Sequence, residues 1–254
     1  MTESQKYYGF DLDETLGDFG EIANFLDYFY VEGASNDLEI KLRTAYKLFI
    51  GKVVANVING SCKLFNPEIL NVIDENKVEN AIIYSNNSHR ETLIFAKDVI
   101  EGYFERSIFC FLMEWGHPYR IDEIVKGDRG NGKKIWPTLQ RGFLEGCGVN
   151  VEPEQVFFYD DQKHNYLMIV LGGNYKHIHG YVTSFNEEVE PLSVATFDSL
   201  IEVGLNGDEE YRRLLGNLYP FNNNVSGGGK KTRTRYRKKR KTRCKILNKK
   251  KVTK

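Results

Sequence analysis

Short apolar runs alternate with amphipathic stretches along most of the chain. Lys6–Leu12 (KYYGFDL), Ala81–Ser85 (AIIYS), Ser107–Met113, Val156–Tyr159 (VFFY) and Lys176–Ser184 (KHIHGYVTS) each read as a strand. Between them, Asn66-Pro67 predicts a helix with proline in its first turn, running to about Asn76. Ser88-x-x-Glu91 is a capping box ahead of a helical stretch, Thr92–Phe104, and Pro137 opens a helix to about Gly146. Strands that are apolar throughout, separated by helices, predict an α/β fold with a parallel sheet covered on both faces. Ligands of such sheets bind beyond the carboxyl ends of the strands.

Residues 17–60 interrupt this alternation. Leu38, Leu42, Ala45, Phe49 and Val53 recur at helical spacing, and Phe25–Tyr30 is rich in aromatics. The segment reads as a helical insertion after the first strand, either capping a site there or covering the sheet edge.

Composition sharpens the picture at the C-terminus. The 254 residues are 41% hydrophobic and 13% aromatic, as a globular fold requires, and formal charge is zero. That zero hides a segregation: residues 230–254 carry 15 of the 35 bases and no acid, which leaves residues 1–229 with 20 bases against 35 acids. Asn222–Gly229 is a polar, Gly-rich linker, and the basic segment after it has too few apolar groups to fold alone, so a disordered basic tail is expected. Fifteen cations on such a segment suit a polyanion, whether nucleic acid, an anionic membrane or an import receptor. Contact with the acidic body and a merely solubilising tail are the alternatives. Apolar runs such as Tyr166–Leu171 are too short to span a bilayer, and the N-terminus lacks a signal pattern. Cys62, Cys110, Cys147 and Cys244 show no C-x-x-C spacing, which argues against a zinc ribbon or a disulfide scaffold and for a reducing compartment, cytoplasmic or nuclear.

Two acidic clusters fall at strand ends: Asp11-Leu12-Asp13-Glu14-Thr15 after the first strand and Asp160-Asp161 after the fourth. Crowded carboxylates repel unless a cation sits among them, and hard oxygen donors of this kind suit Mg²⁺ with a substrate phosphate. A polar strand end (Ser85) and a lysine before a helix (Lys134) accompany them.

FDLDET, IIYSNNS, the stretch KIWPTLQRGFLEGCGVN and VFFYDDQKHN resemble, in order, the four motifs of the haloacid dehalogenase (HAD) superfamily. The similarity covers roughly residues 6–185. It implies a Rossmann-like core formed by 1–16 and 61–221, a small cap formed by 17–60, and a linker and tail at 222–254. It further implies a Mg²⁺-dependent phosphatase that works through an aspartyl-phosphate. Asp11 would be the nucleophile and Asp13 the general acid and base, with its backbone carbonyl on the metal. Thr15 would hold the loop. Ser85, with the backbone N–H groups of Asn86 and Asn87, would bind phosphoryl oxygens. Lys134 would offset negative charge, and Asp11, Asp160 and Asp161 would bind Mg²⁺. The second aspartate suits ester substrates and sets the chain apart from the family's ATPases and dehalogenases. DLDET also resembles phosphatases acting on the RNA polymerase C-terminal domain.

There are departures. Asn165 stands where the family often has a further acid, and Lys126 and Lys133 compete with Lys134 for the lysine role. The substrate implied is a phosphoprotein, a nucleic-acid end or a small phosphorylated metabolite. The Gly-rich hinge with a basic C-terminus resembles proteins of large DNA viruses, which adds a viral factory or virion to the compartments.

Rival readings remain for single features. The DLDET acids also fit a solvated turn, Asp160-Asp161 a helix cap, and Ser85 an approach to the next helix. Gly127–Lys134 partly fits a phosphate-cradling G-x-x-x-x-G-K-[ST] loop but ends in Lys134 rather than a hydroxyl. His177 and His179 alternate on a predicted strand without a third ligand, His89, His117 and His164 have no partner motif, and Trp115 and Trp136 read as packing residues. The rival for the whole chain is an inert enzyme fold that binds nucleic acid through its tail.

Overall fold

A computed structural model describes residues 5–85, 89–113, 136–161 and 189–218. The elements are, in chain order, β1 (Tyr7–Phe10), α1 (Ile22–Leu26), α2 (Asn36–Ile58), α3 (Pro67–Glu75), β2 (Ala81–Tyr84), α4 (Arg90–Phe104), β3 (Phe109–Met113), α5 (Trp136–Cys147), β4 (Val156–Tyr159), α6 (Val189–Glu202) and α7 (Glu209–Leu218). Everything described up to Leu214 belongs to one unit, Met1–Leu214; the second, Leu215–Lys254, contributes only the end of α7.

The four strands form one parallel sheet in the order β3-β2-β1-β4. The near-complete burial of β1, β2 and β4 explains their unbroken apolar runs. On one face Tyr7, Ile82, Tyr84, Met113, Val156 and Phe158 pack with Leu139 and Phe143 of α5, and Trp136 packs against this cluster. Gly9 makes room there, since a Cβ would come within 2.8 Å of the Phe158 ring and 3.3 Å of Leu139. The alternate residues of β1 and β4 stack on the other face, Tyr8 on Phe157 (5.6 Å between centroids) and Phe10 on Tyr159 (5.3 Å).

Local signals place the helices. Asn66 caps α3, its side chain accepting from Glu68 N–H at 3.0 Å with Pro67 next. Ser35 caps α2, accepting from Leu38 N–H at 3.4 Å. The five periodic residues of α2 are all buried, and the helix packs along α4 and α6. Phe49 stacks on Phe29 and Phe95, while Lys52–Glu202 and Lys41–Asp208 ion pairs (2.7 and 2.6 Å) flank it.

Several expectations shift at their edges. The first strand stops at Phe10 rather than Leu12, because the chain turns at Asp11. β3 starts at Phe109 and α4 at Arg90. Ser88 and the strand expected over 176–184 lie outside the described residues, and the cap position of α4 is His89.

One pairing was not anticipated. Cys110 and Cys147 form a disulfide, with Cα atoms 5.3 Å apart. Cysteine spacing gave no sign of it, because the pair is made by the packing of α5 on β3. Cys62 is buried.

Candidate metal centre

The strand order decides where a site can form. From β1 the chain builds outward through β2 to β3, then returns to add β4 on the opposite side of β1. The reversal puts a crevice between the carboxyl ends of β1 and β4. Phe10 is in register with Tyr159, and Asp11 N–H donates to the Tyr159 carbonyl at 2.9 Å. The next residues, Asp11 and Asp160, are therefore neighbours across the ladder, and both are buried.

Asp11, Asp160 and Asp161 each offer a carboxylate oxygen within 4.8 Å of the others. Two like charges 4 Å apart repel by about 4 kcal/mol even at an effective dielectric of 20. A cation among them turns that repulsion into attraction. The donor set is all carboxylate, with no sulfur or imidazole in the group, which fits a hard divalent ion. Burial pushes the Tyr159 phenol up to about 12, with Tyr8 adding to the shift, so the residue before Asp160 stays neutral.

Thr15 ties the two strand ends together. It is fully buried, its hydroxyl accepts from Asp161 N–H at 2.9 Å, and it lies 3.5 Å from Asp161 Oδ1. The loop that carries it is closed by its own backbone bonds: Leu16 N–H reaches the carbonyls of Asp11 (3.3 Å) and Leu12 (3.0 Å), and Gly17 N–H that of Leu12 (3.3 Å). Glu14 takes φ +64°, and its N–H donates to the Gly17 carbonyl at 2.9 Å.

Beside this turn, residues 16–18 run against residues 64–66 in a narrow neck. Gly17 bridges Phe65, Asp18 N–H donates to the Leu64 carbonyl (3.1 Å), and Asn66 N–H to the Leu16 carbonyl (2.9 Å). A Cβ at Gly17 would overlap the Leu64 carbonyl, so only glycine permits this approach. Asn66 is 2% exposed, and its Nδ2 has no hydrogen-bond partner among the described residues.

The other expected site residues sort as follows. Ser85 is buried at the end of β2 and donates its N–H to the Met113 carbonyl at 2.9 Å. Phe10 pairs with Ile83, so Ser85 lies one step beyond the position beside Asp11, on the neighbouring strand. Asp13 sits in the turn with Oδ1 buried and is not a member of the carboxylate triad. Asn86, Asn87, Lys126, Lys133, Lys134, Asn165, His117, His164, His177, His179, Trp115, the Gly127–Lys134 loop and the basic tail lie outside the described residues. Sequence reading missed Gly17 and the second role of Asn66, although Asn66-Pro67 was legible as a helix start. Among the described residues no helix is long and apolar enough to cross a membrane.

No protein-family model matches this chain, and no curated protein matches it.

Proposed function

We propose that the chain is a Mg²⁺-dependent phosphomonoesterase of the HAD type, acting through an aspartyl-phosphate on Asp11. The observation that supports this best is the carboxylate triad of Asp11, Asp160 and Asp161 at the carboxyl edge of a parallel sheet, at its strand-order reversal. Mg²⁺ held by these residues and the Asp13 carbonyl would neutralise charge on the phosphoryl oxygens.

In this reading the Asp11 carboxylate attacks phosphorus while the bond to the leaving alkoxide breaks. Asp13 gives that alkoxide a proton, then takes one from the water that attacks the aspartyl-phosphate. Inorganic phosphate leaves and Asp11 is restored. Ser85 Oγ and the Asn86 N–H hold phosphoryl oxygens, Lys134 offsets their charge, and Thr15 fixes Asp161 against the turn. Most of the rate comes from this positioning and charge balance.

The full chain is expected to release phosphate from an aryl phosphate only with Mg²⁺ present. Asp11→Asn should lose at least about 10³-fold, since it removes the nucleophile. Equal turnover by this variant would defeat the mechanism.

A second reading is favoured by the 15 cations of residues 230–254 and by Asn165. It makes the chain an inert member of this fold that binds nucleic acid. Removing residues 226–254 separates the two: polyanion binding lost, with no ester cleaved by either form, supports the binding reading. Turnover on small esters that survives the deletion supports the enzyme.

A further inference from the structure

The Cys110–Cys147 bond rests on two packing features that do not require it. First, β3 carries a bulge: Ala81 pairs with Phe109, but Ile82 pairs with Phe111, which leaves Cys110 as the extra residue. A bulge re-aims side chains. Phe109 keeps to the Phe10 face (6.3 Å between ring centroids), while Cys110 and Phe111 both pack into the α5 cluster. Second, α5 presents Gly142 and Gly146 to the strand. A Cβ at Gly142 would overlap the Met113 sulfur, and one at Gly146 the Phe111 ring. This close approach sets Cys147 beside Cys110.

Both cysteines are half-buried rather than enclosed in the core. Both cysteines pack against the apolar α5 cluster, so contacts besides the bond hold the two backbones together at a Cα separation of 5.3 Å. We propose that Cys110–Cys147 is a reversible latch, closed by a low-molecular-weight disulfide of the glutathione type and opened by the matching thiol, that clamps α5 onto β3.

In closing, one cysteine thiolate attacks a sulfur of the oxidised tripeptide, forming a mixed disulfide and expelling one thiolate. The second cysteine then attacks the protein sulfur of that mixed disulfide and expels the other. The protein thiols give up two electrons and two protons, and the small disulfide is reduced to two thiols. The closed latch covalently joins both ends of the stretch that contains Lys126, Lys133 and Lys134.

The test uses the full chain equilibrated over graded ratios of reduced to oxidised glutathione. Samples are quenched, denatured and labelled with a thiol-reactive mass tag, with amide exchange measured in parallel. Cys110 and Cys147 are expected to become protected from the tag together, in one reversible two-electron transition. Exchange in α5 and β3 should slow by about tenfold or more on closure, because the bond restrains the opened state. Cys110→Ser and, separately, Cys147→Ala should show the reduced exchange pattern at every ratio. The reduced wild-type chain provides the same comparison without substitution. Thiols that stay taggable throughout, a bond that native-state thiol cannot open, or closure with unchanged exchange in α5 and β3 would each overturn the proposal.

Discussion

Thr15 carries more than its size suggests. Its side chain bonds the β1 turn to the end of β4, through the Asp161 N–H and carboxylate. Thr15→Val keeps the shape and removes the acceptor, leaving a backbone N–H unpaired beside three carboxylates. Denaturant titration should show a loss of about 1–3 kcal/mol, the usual cost of an unsatisfied buried group. Divalent-ion affinity should fall about tenfold or more, because Asp161 loses its orientation. Thr15→Ser should restore most of both. An unaltered affinity in Thr15→Val would show that the turn does not position Asp161.

At the scale of elements, the joint between α4 and β3 rests on Glu101. Burial alone would raise its carboxyl. The Lys97 ammonium (2.7 Å) and the N–H groups of Ile108 and Phe109 (2.8 Å each) outweigh burial and hold it below its ordinary value. Arg106 adds a second tie, donating to the carbonyls of Val78 and Ile73. A depressed folded-state pKa means stability that is present at neutral pH and lost as pH falls through the folded value. Glu101→Gln should therefore cost about 1–2 kcal/mol at pH 7. The gap from wild type should shrink as pH drops below about 4, where unfolded glutamate takes up its proton. A gap independent of pH would place the cost in packing rather than charge.

The elements also show what a linear reading can and cannot reach. β2 and β4 were legible because an unbroken apolar run bounded by polar residues has few other uses. The buried face of α2 was legible because Leu38, Leu42, Ala45, Phe49 and Val53 keep helical spacing in one segment. The triad was half legible: each strand end announced its acids, but their meeting depends on the register of Phe10 with Tyr159. The Cys110–Cys147 bond was not legible, since it follows from one bulge and two glycines distant in sequence. The neck at Gly17 is likewise a contact between residues almost fifty positions apart, with no local signal.

For the molecule as a whole, charge is the dominant feature. Fifteen bases and no acids lie in residues 230–254, against 20 bases and 35 acids before them. Any polyanion bound by the tail displaces counterions, so log affinity should fall linearly with log salt. A slope of about −0.7 to −0.9 per phosphate neutralised is expected. Deleting residues 226–254 should flatten that slope and abolish binding to single- and double-stranded nucleic acid alike. Binding that keeps its slope after deletion would move the polyanion surface into the acidic body.

The carboxylate triad is tested most directly by titrating the full chain calorimetrically with Mg²⁺, beside Asp160→Asn and Asp161→Asn. The account predicts one saturable site in the wild-type chain, weakened at least about tenfold in each variant, since each removes a charged oxygen donor. Wild-type binding that both variants reproduce, or no saturable binding by the wild-type chain, would contradict it.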